Sequence, residues 1–264
     1  MTLEGGVVGP AARPGWVRGA CAALVVTLLY VLALPVLGSL PALAVPRGDS
    51  LARGIVAATG MGILSALVII VGFEVLFANR RRDLRPYGFA RPARLWSTLG
   101  IAVAAYFPVL GIGLWISQLL GLSGTTTPDL HKHSSGEKVA LSFLIIVVAP
   151  WLEEVSVRGM LFSSLAGRFG FWVGAIGSGF LWAGAHFVAA VIIPFTMLGV
   201  LLAFVRRRTG SVLPGMVLHG AQNSFATAAA AAAGWYMAPM PIVLAATLAA
   251  VWWWLPAERR ARRE

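Results

Sequence analysis

The sequence predicts an all-α fold, a polytopic transmembrane bundle of about eight helices. Composition, run length and the absence of a strand pattern predict it. Of 264 residues, 58% are hydrophobic and 12% charged, far from the balance of a soluble domain. The apolar residues fall in runs long enough to cross a hydrocarbon core, for which about 20 residues span roughly 30 Å. The runs lack the alternation of barrel strands, and backbone groups cannot stay unpaired in lipid, so helices follow.

The runs cover 21–45, 54–78, 97–122, 139–160, 171–187, 188–205, 211–233 and 239–256. The first ends near an Ala42-x-Ala44 pair, as a signal peptide would, but it is long for an h-region and reads as a spanning helix. The alanine tract Ala228 to Ala233 suits a close-packed helix surface. Cys21 is the single cysteine, which excludes a disulfide framework or a cysteine metal site.

A net charge of +11 would suggest nucleic acid in a soluble protein. Here the basic residues cluster between apolar runs, so they are topology signals and no nucleic-acid partner is expected. The richest clusters are the segment Arg80 to Arg94, the turn with Arg206, Arg207 and Arg208, and the tail with Arg259, Arg260, Arg262 and Arg263. The opposite loops hold only Arg47 and Arg53, or Lys132 and Lys138. Placing the rich clusters inside puts both termini in the cytoplasm and makes the number of crossings even. The preponderance of arginine over lysine and the abundance of alanine fit a GC-rich bacterial genome, hence a bacterial cell membrane.

Six ionisable residues remain inside the predicted spans: Glu74, Glu153, Glu154, Arg158, His186 and His219. A charge in a bilayer costs a few kcal/mol on insertion scales, so such residues face a partner, a cavity or a reaction. Glu154 and Arg158 stand one helical turn apart and can pair. Glu153, offset by about 100°, points elsewhere and keeps a carboxylate for another task. Pro150 just upstream removes a backbone hydrogen bond and is expected to kink or break the helix there. Trp182 lies one turn before His186, so its indole packs beneath the imidazole. His219 lies one turn before Asn223, and together they can donate hydrogen bonds to a developing oxyanion. With Glu153 as general base and His186 orienting water or protonating the amine, these residues meet the needs of amide hydrolysis. Each also has a structural reading: a buried ion pair, a packed histidine, a hydrogen-bonded glue between helices. Glu74 is expected to make a structural hydrogen bond, and His131 and His133 lie in a polar loop outside the site.

The motifs Glu-Glu-x-x-x-Arg (Glu153, Glu154, Arg158) and His-x-x-x-Asn (His219, Asn223) resemble those of the CPBP family, the CAAX protease and bacteriocin-processing intramembrane proteases. The family's middle motif, Phe-x-x-x-His, is met here by Trp182 and His186, one aromatic for another. The resemblance covers roughly residues 139 to 225. It implies an eight-helix fold, with Glu153 and His186 activating water, His219 and Asn223 stabilising the oxyanion, and Glu154, Arg158 and Trp182 in support. The implied organisation is about three N-terminal helices in 1–138, a CPBP-like catalytic domain in 139–256 and a basic cytoplasmic tail in 257–264. The implied activity is an intramembrane endopeptidase acting on a hydrophobic or lipidated peptide or protein, in contact with membrane lipids.

Members of that family are often labelled metalloproteases. Glu153, His186 and His219 would be the zinc ligands if a metal is used, but the motif H-E-x-x-H is absent and a His219 given to the oxyanion cannot also bind zinc. A metal-free mechanism is favoured. The alternative functions are a proton-coupled transporter, whose relays also use intramembrane carboxylates and histidines, and a noncatalytic scaffold or immunity protein. The expected depths of the two histidines conflict. At about 1.5 Å per residue, His186 would lie about 24 Å above Gly170 but His219 only about 12 Å above Ser211.

Overall fold

The computed structural model describes residues 85–126, 130 and 133–231, with Cys21, Ala52, Val56 and Gly60 besides. The predicted runs 21–45, 54–78 and 239–256, Glu74, His131 and the basic tail therefore lie almost wholly outside the described residues. Among the described residues every regular element is helical, and three helices are long and apolar enough to cross a membrane: Leu95–Leu119, Gly136–Phe169 and Ala189–Thr209.

The helices run up and down. Helix α1 is Leu95–Leu119 and α2 is Gly136–Phe169; the shorter α3 is Phe171–Gly184; α4 is Ile192–Thr209, entered through the 3-10 turn Ala189–Val191; and α5 is Leu213–Ala231. Basic residues collect where these helices meet at one end. Arg94 precedes α1, Arg168 lies in the last turn of α2, and Arg206, Arg207 and Arg208 close α4. The connections at this end are hydrogen-bonded, Ala93 N donating to Thr209 O at 2.8 Å and Val212 N to Gly88 O at 3.0 Å. Two clusters that the charge pattern assigned to one side of the membrane thus share one end of the bundle.

Pro150 does not break α2. The helix continues through it, but with a π-helical stretch on either side, Leu144–Val148 before it and Glu154–Phe162 after it. A proline supplies no N–H to the ladder, and a widened turn lets the chain continue. Every residue of the second stretch, which carries Glu154 and Arg158, is buried.

Helix α4 packs on both α1 and α3, while α5 packs on α2 around Leu144–Glu153. The crossing of α3 and α4 is a backbone contact. A Cβ placed on Gly199 would sit 2.6 Å from the Gly179 Cα, closer than two carbons can approach. Small residues at crossings replace the hydrophobic drive that lipid removes. Beside this contact Trp182, Val157, Leu198 and Leu202 form a buried cluster.

The conflict of depth is settled by α3. It has 14 residues, a rise of about 21 Å, so it ends before His186. The Trp182 side chain, one turn nearer the basic end, then meets both His186 and His219.

Gly199→Ala should push α3 and α4 apart. The expected cost is about 1–3 kcal/mol, measured as a lower thermal unfolding midpoint of the purified protein in detergent.

Candidate active site

The site grows from the buried stretch of α2. Arg158 and Glu154 are both fully buried. Arg158 Nη1 lies 2.9 Å from Glu154 Oε1, an electrostatic contact rather than a well-aligned hydrogen bond. The guanidinium also lies over the Trp182 ring, 4.4 Å from its centroid, so a carboxylate and an aromatic face share its charge. The other Glu154 oxygen, Oε2, occupies the space where a Cβ on Gly215 would come within 2.6 Å. Only glycine leaves that room at the start of α5.

Glu153 diverges from this pair. Trp182 Nε1 donates to Glu153 Oε2, and His219 Nε2 stands 3.7 Å from the same oxygen. The Glu153 side chain keeps 13% of its surface, whereas that of Glu154 keeps 1%. Of two adjacent glutamates, one is paired inside the protein and the other stays partly exposed. Offset around the helix axis separates their tasks.

His219 is held between them. Its Nδ1 is 3.3 Å from Glu154 Oε1, and its ring meets Trp182 edge to face at 5.2 Å. A carboxylate only accepts, so Nδ1 is the donor and the ring turns Nε2 toward Glu153. The His186 ring also meets Trp182 edge to face, at 5.5 Å. Its Nδ1 stands 2.9 Å from the Trp182 carbonyl, which also only accepts, so Nδ1 carries the proton and Nε2 presents a lone pair. The following residue, Phe187, has φ 55°, a conformation that a bulky residue adopts only under tertiary constraint. Asn223 is half-buried on α5 and donates from Nδ2 to the Ile145 carbonyl at 2.8 Å.

The structure therefore gathers Glu153, Glu154, Arg158 and His219 about Trp182, with His186 against the same indole and Asn223 one turn beyond His219 on α5. The expected pairing of Glu154 with Arg158 forms, and so does the packing of Trp182 with His186. Three participants carry no sequence signal: Phe195, which stacks on Trp182 at 5.4 Å and meets His186 at 4.9 Å; Gly215; and the Ile145 carbonyl. Of the zinc set, Glu153 and His219 approach one another at 3.7 Å, while His186 meets Trp182 and Phe195. Among the described residues no three of His, Cys, Asp and Glu form a group able to hold a metal ion.

Residues 135–225 match the family model of type II CAAX prenyl endopeptidases, Rce1-like. That is the family the three motifs resemble, and the matched segment contains all three. No curated protein and no solved structure matches the chain. The matched segment is similar to CAAX-type proteases, and with the apolar helices it indicates an integral membrane protein.

Glu154→Ala would leave Arg158 buried and unpaired, at an expected cost of about 3–5 kcal/mol in unfolding free energy. The double change of Glu154 and Arg158 to alanine should cost less than the two single changes summed, which thermal unfolding in detergent measures.

Proposed function

We propose that the chain is an intramembrane endopeptidase that hydrolyses a peptide bond of a lipidated or prenylated substrate, using water activated by Glu153 and His186. The observation that supports it most directly is the contrast between the two glutamates: Glu154 is spent on Arg158, while Glu153 is partly open and lies beside His219 and Trp182.

In this reading the Trp182 indole holds Glu153 Oε2 and leaves Oε1 to take a water proton. His186 Nε2, its lone pair set by the Nδ1–H on the Trp182 carbonyl, accepts the other hydrogen of that water. Hydroxide attacks the scissile carbonyl carbon and the carbonyl electrons move to oxygen. His219 and Asn223 donate to that oxyanion. In its imidazolium form His219 gives Nδ1–H to Glu154 and Nε2–H to the oxyanion, so Glu154 orients the donor and Arg158 holds Glu154. The oxyanion then re-forms the carbonyl, the carbon–nitrogen bond breaks and Glu153 returns its proton to the leaving nitrogen, so the products are a carboxylic acid and an amine, which ionise to carboxylate and ammonium. The basic end of the bundle is assigned to the cytoplasmic side, where Lys and Arg accumulate, and the cell membrane of a bacterium is the proposed location.

Charge burial in the membrane gives the substrate class a physical basis. A lipid tail brings a peptide to a site below the headgroups, where a free hydrophilic peptide pays to enter. In the proposed protein the chain crosses the membrane eight times.

Wild-type protein in nanodiscs should cleave a prenylated C-terminal peptide. Glu153→Gln should lose about a hundredfold to ten-thousandfold in kcat with its thermal unfolding midpoint kept. A chelator should leave the rate unchanged. Full cleavage by Glu153→Gln would overturn the mechanism; absence of cleavage with Glu153-dependent proton flux in liposomes would indicate a transporter. Full biological activity of Glu153→Gln without any cleavage would indicate a scaffold. Peptide-terminus proteomics of cells carrying wild type or Glu153→Gln identifies the substrate.

A further inference from the structure

The partner of Asn223 has a cause in the backbone of α2. In the widened turn Leu144–Val148, Ala149 N donates to Leu144 O, five residues back, instead of to Ile145 O. In the same wide register the donor to the Ile145 carbonyl would come from residue 150. That residue is Pro150, which has no N–H. A carbonyl inside a membrane bundle cannot turn to water, and leaving it unpaired costs free energy. Asn223 Nδ2 fills the vacancy at 2.8 Å, from a helix 78 residues further along the chain.

A carboxamide carries two N–H donors on one planar nitrogen. With one committed to Ile145, the plane of the group is set and the second N–H has a defined direction. Its neighbour one turn earlier, His219, is set in the same way by Glu154. Both helix α5 donors are thus oriented by acceptors on α2, one a carboxylate and the other a backbone carbonyl that Pro150 has freed.

We propose that Pro150 is a positioning residue for the reaction, because it frees the Ile145 carbonyl to orient Asn223 as an oxyanion donor. This rests on the hydrolase reading for its catalytic part, but the hydrogen-bond part stands apart from it. Pro150→Ala restores an N–H that can serve Ile145, and Asn223 then loses its orienting acceptor.

The test is a cycle of Pro150→Ala, Asn223→Ala and the double variant in full-length protein in nanodiscs, with kcat and KM on a prenylated peptide and thermal unfolding as separate readouts. Asn223→Ala should lower kcat about a hundredfold or more, with KM little changed. Pro150→Ala should lower kcat on the order of tenfold to a hundredfold while its unfolding midpoint is kept or raised, and the double variant should be no slower than Asn223→Ala. In the thermal cycle, Asn223→Ala should lower the midpoint in the native background and much less beside Pro150→Ala. A wild-type kcat in Pro150→Ala, or losses that multiply in the double variant, would overturn the positioning role. If wild type cleaves nothing, the hydrolase reading fails and the positioning role with it. The thermal cycle then decides whether Asn223 serves Ile145, and equal shifts in both backgrounds would overturn that too.

Discussion

A guanidinium with no exposed surface cannot sit among apolar helices without an acceptor nearby, and Arg158 has Glu154 as that acceptor. The pair constrains much of what surrounds it. Gly215 is small because Glu154 Oε2 needs its space, the Trp182 ring lies beneath the guanidinium carbon, and His219 takes its orientation from Glu154. A buried ion pair seldom adds stability over a hydrophobic replacement, so its retention here fits a role in holding other groups in register.

Trp182 is the second organising element. One indole supports Arg158 on its face, donates to Glu153, meets both imidazoles and stacks on Phe195. Phenylalanine could make the ring contacts but has no N–H to give Glu153. The aromatic exchange in the middle motif therefore adds a hydrogen bond to the proposed base, and its hold on Oε2 limits the rotamers that Glu153 can adopt.

Much of the site was legible because its local part obeys helix periodicity. Glu154 and Arg158 lie within one turn, as do Trp182 and His186, and the divergence of Glu153 from Glu154 follows from the angle per residue. Contacts between helices were not legible. The approach of His219 to Glu154 and of Asn223 to Ile145 depends on how α5 lies against α2, and no spacing in the sequence encodes that. Pro150 shows the same limit, because it signalled a disturbed helix but not the choice of wide turns over a break. The depth conflict arose from extending α3 to residue 187, since hydropathy does not record that the chain leaves the helix at Gly184 and holds Phe187 at positive φ. Of the eight predicted crossings, those within residues 95–231 can be compared with helices. There 97–122 and 211–233 agree with α1 and α5 to within three residues, 139–160 lengthens into α2, 171–187 is shortened in α3 and 188–205 is shifted in α4.

The central claim is that Glu153 activates water rather than attacking the substrate itself. A single turnover of the wild-type protein in 18O-water, with a prenylated peptide in nanodiscs, distinguishes the two. Direct attack by water predicts that the new product carboxylate carries 18O from the first turnover onward, and that Glu153→Gln yields no labelled product. Unlabelled carboxylate in the first turnover, its oxygen drawn from the protein, would contradict the account.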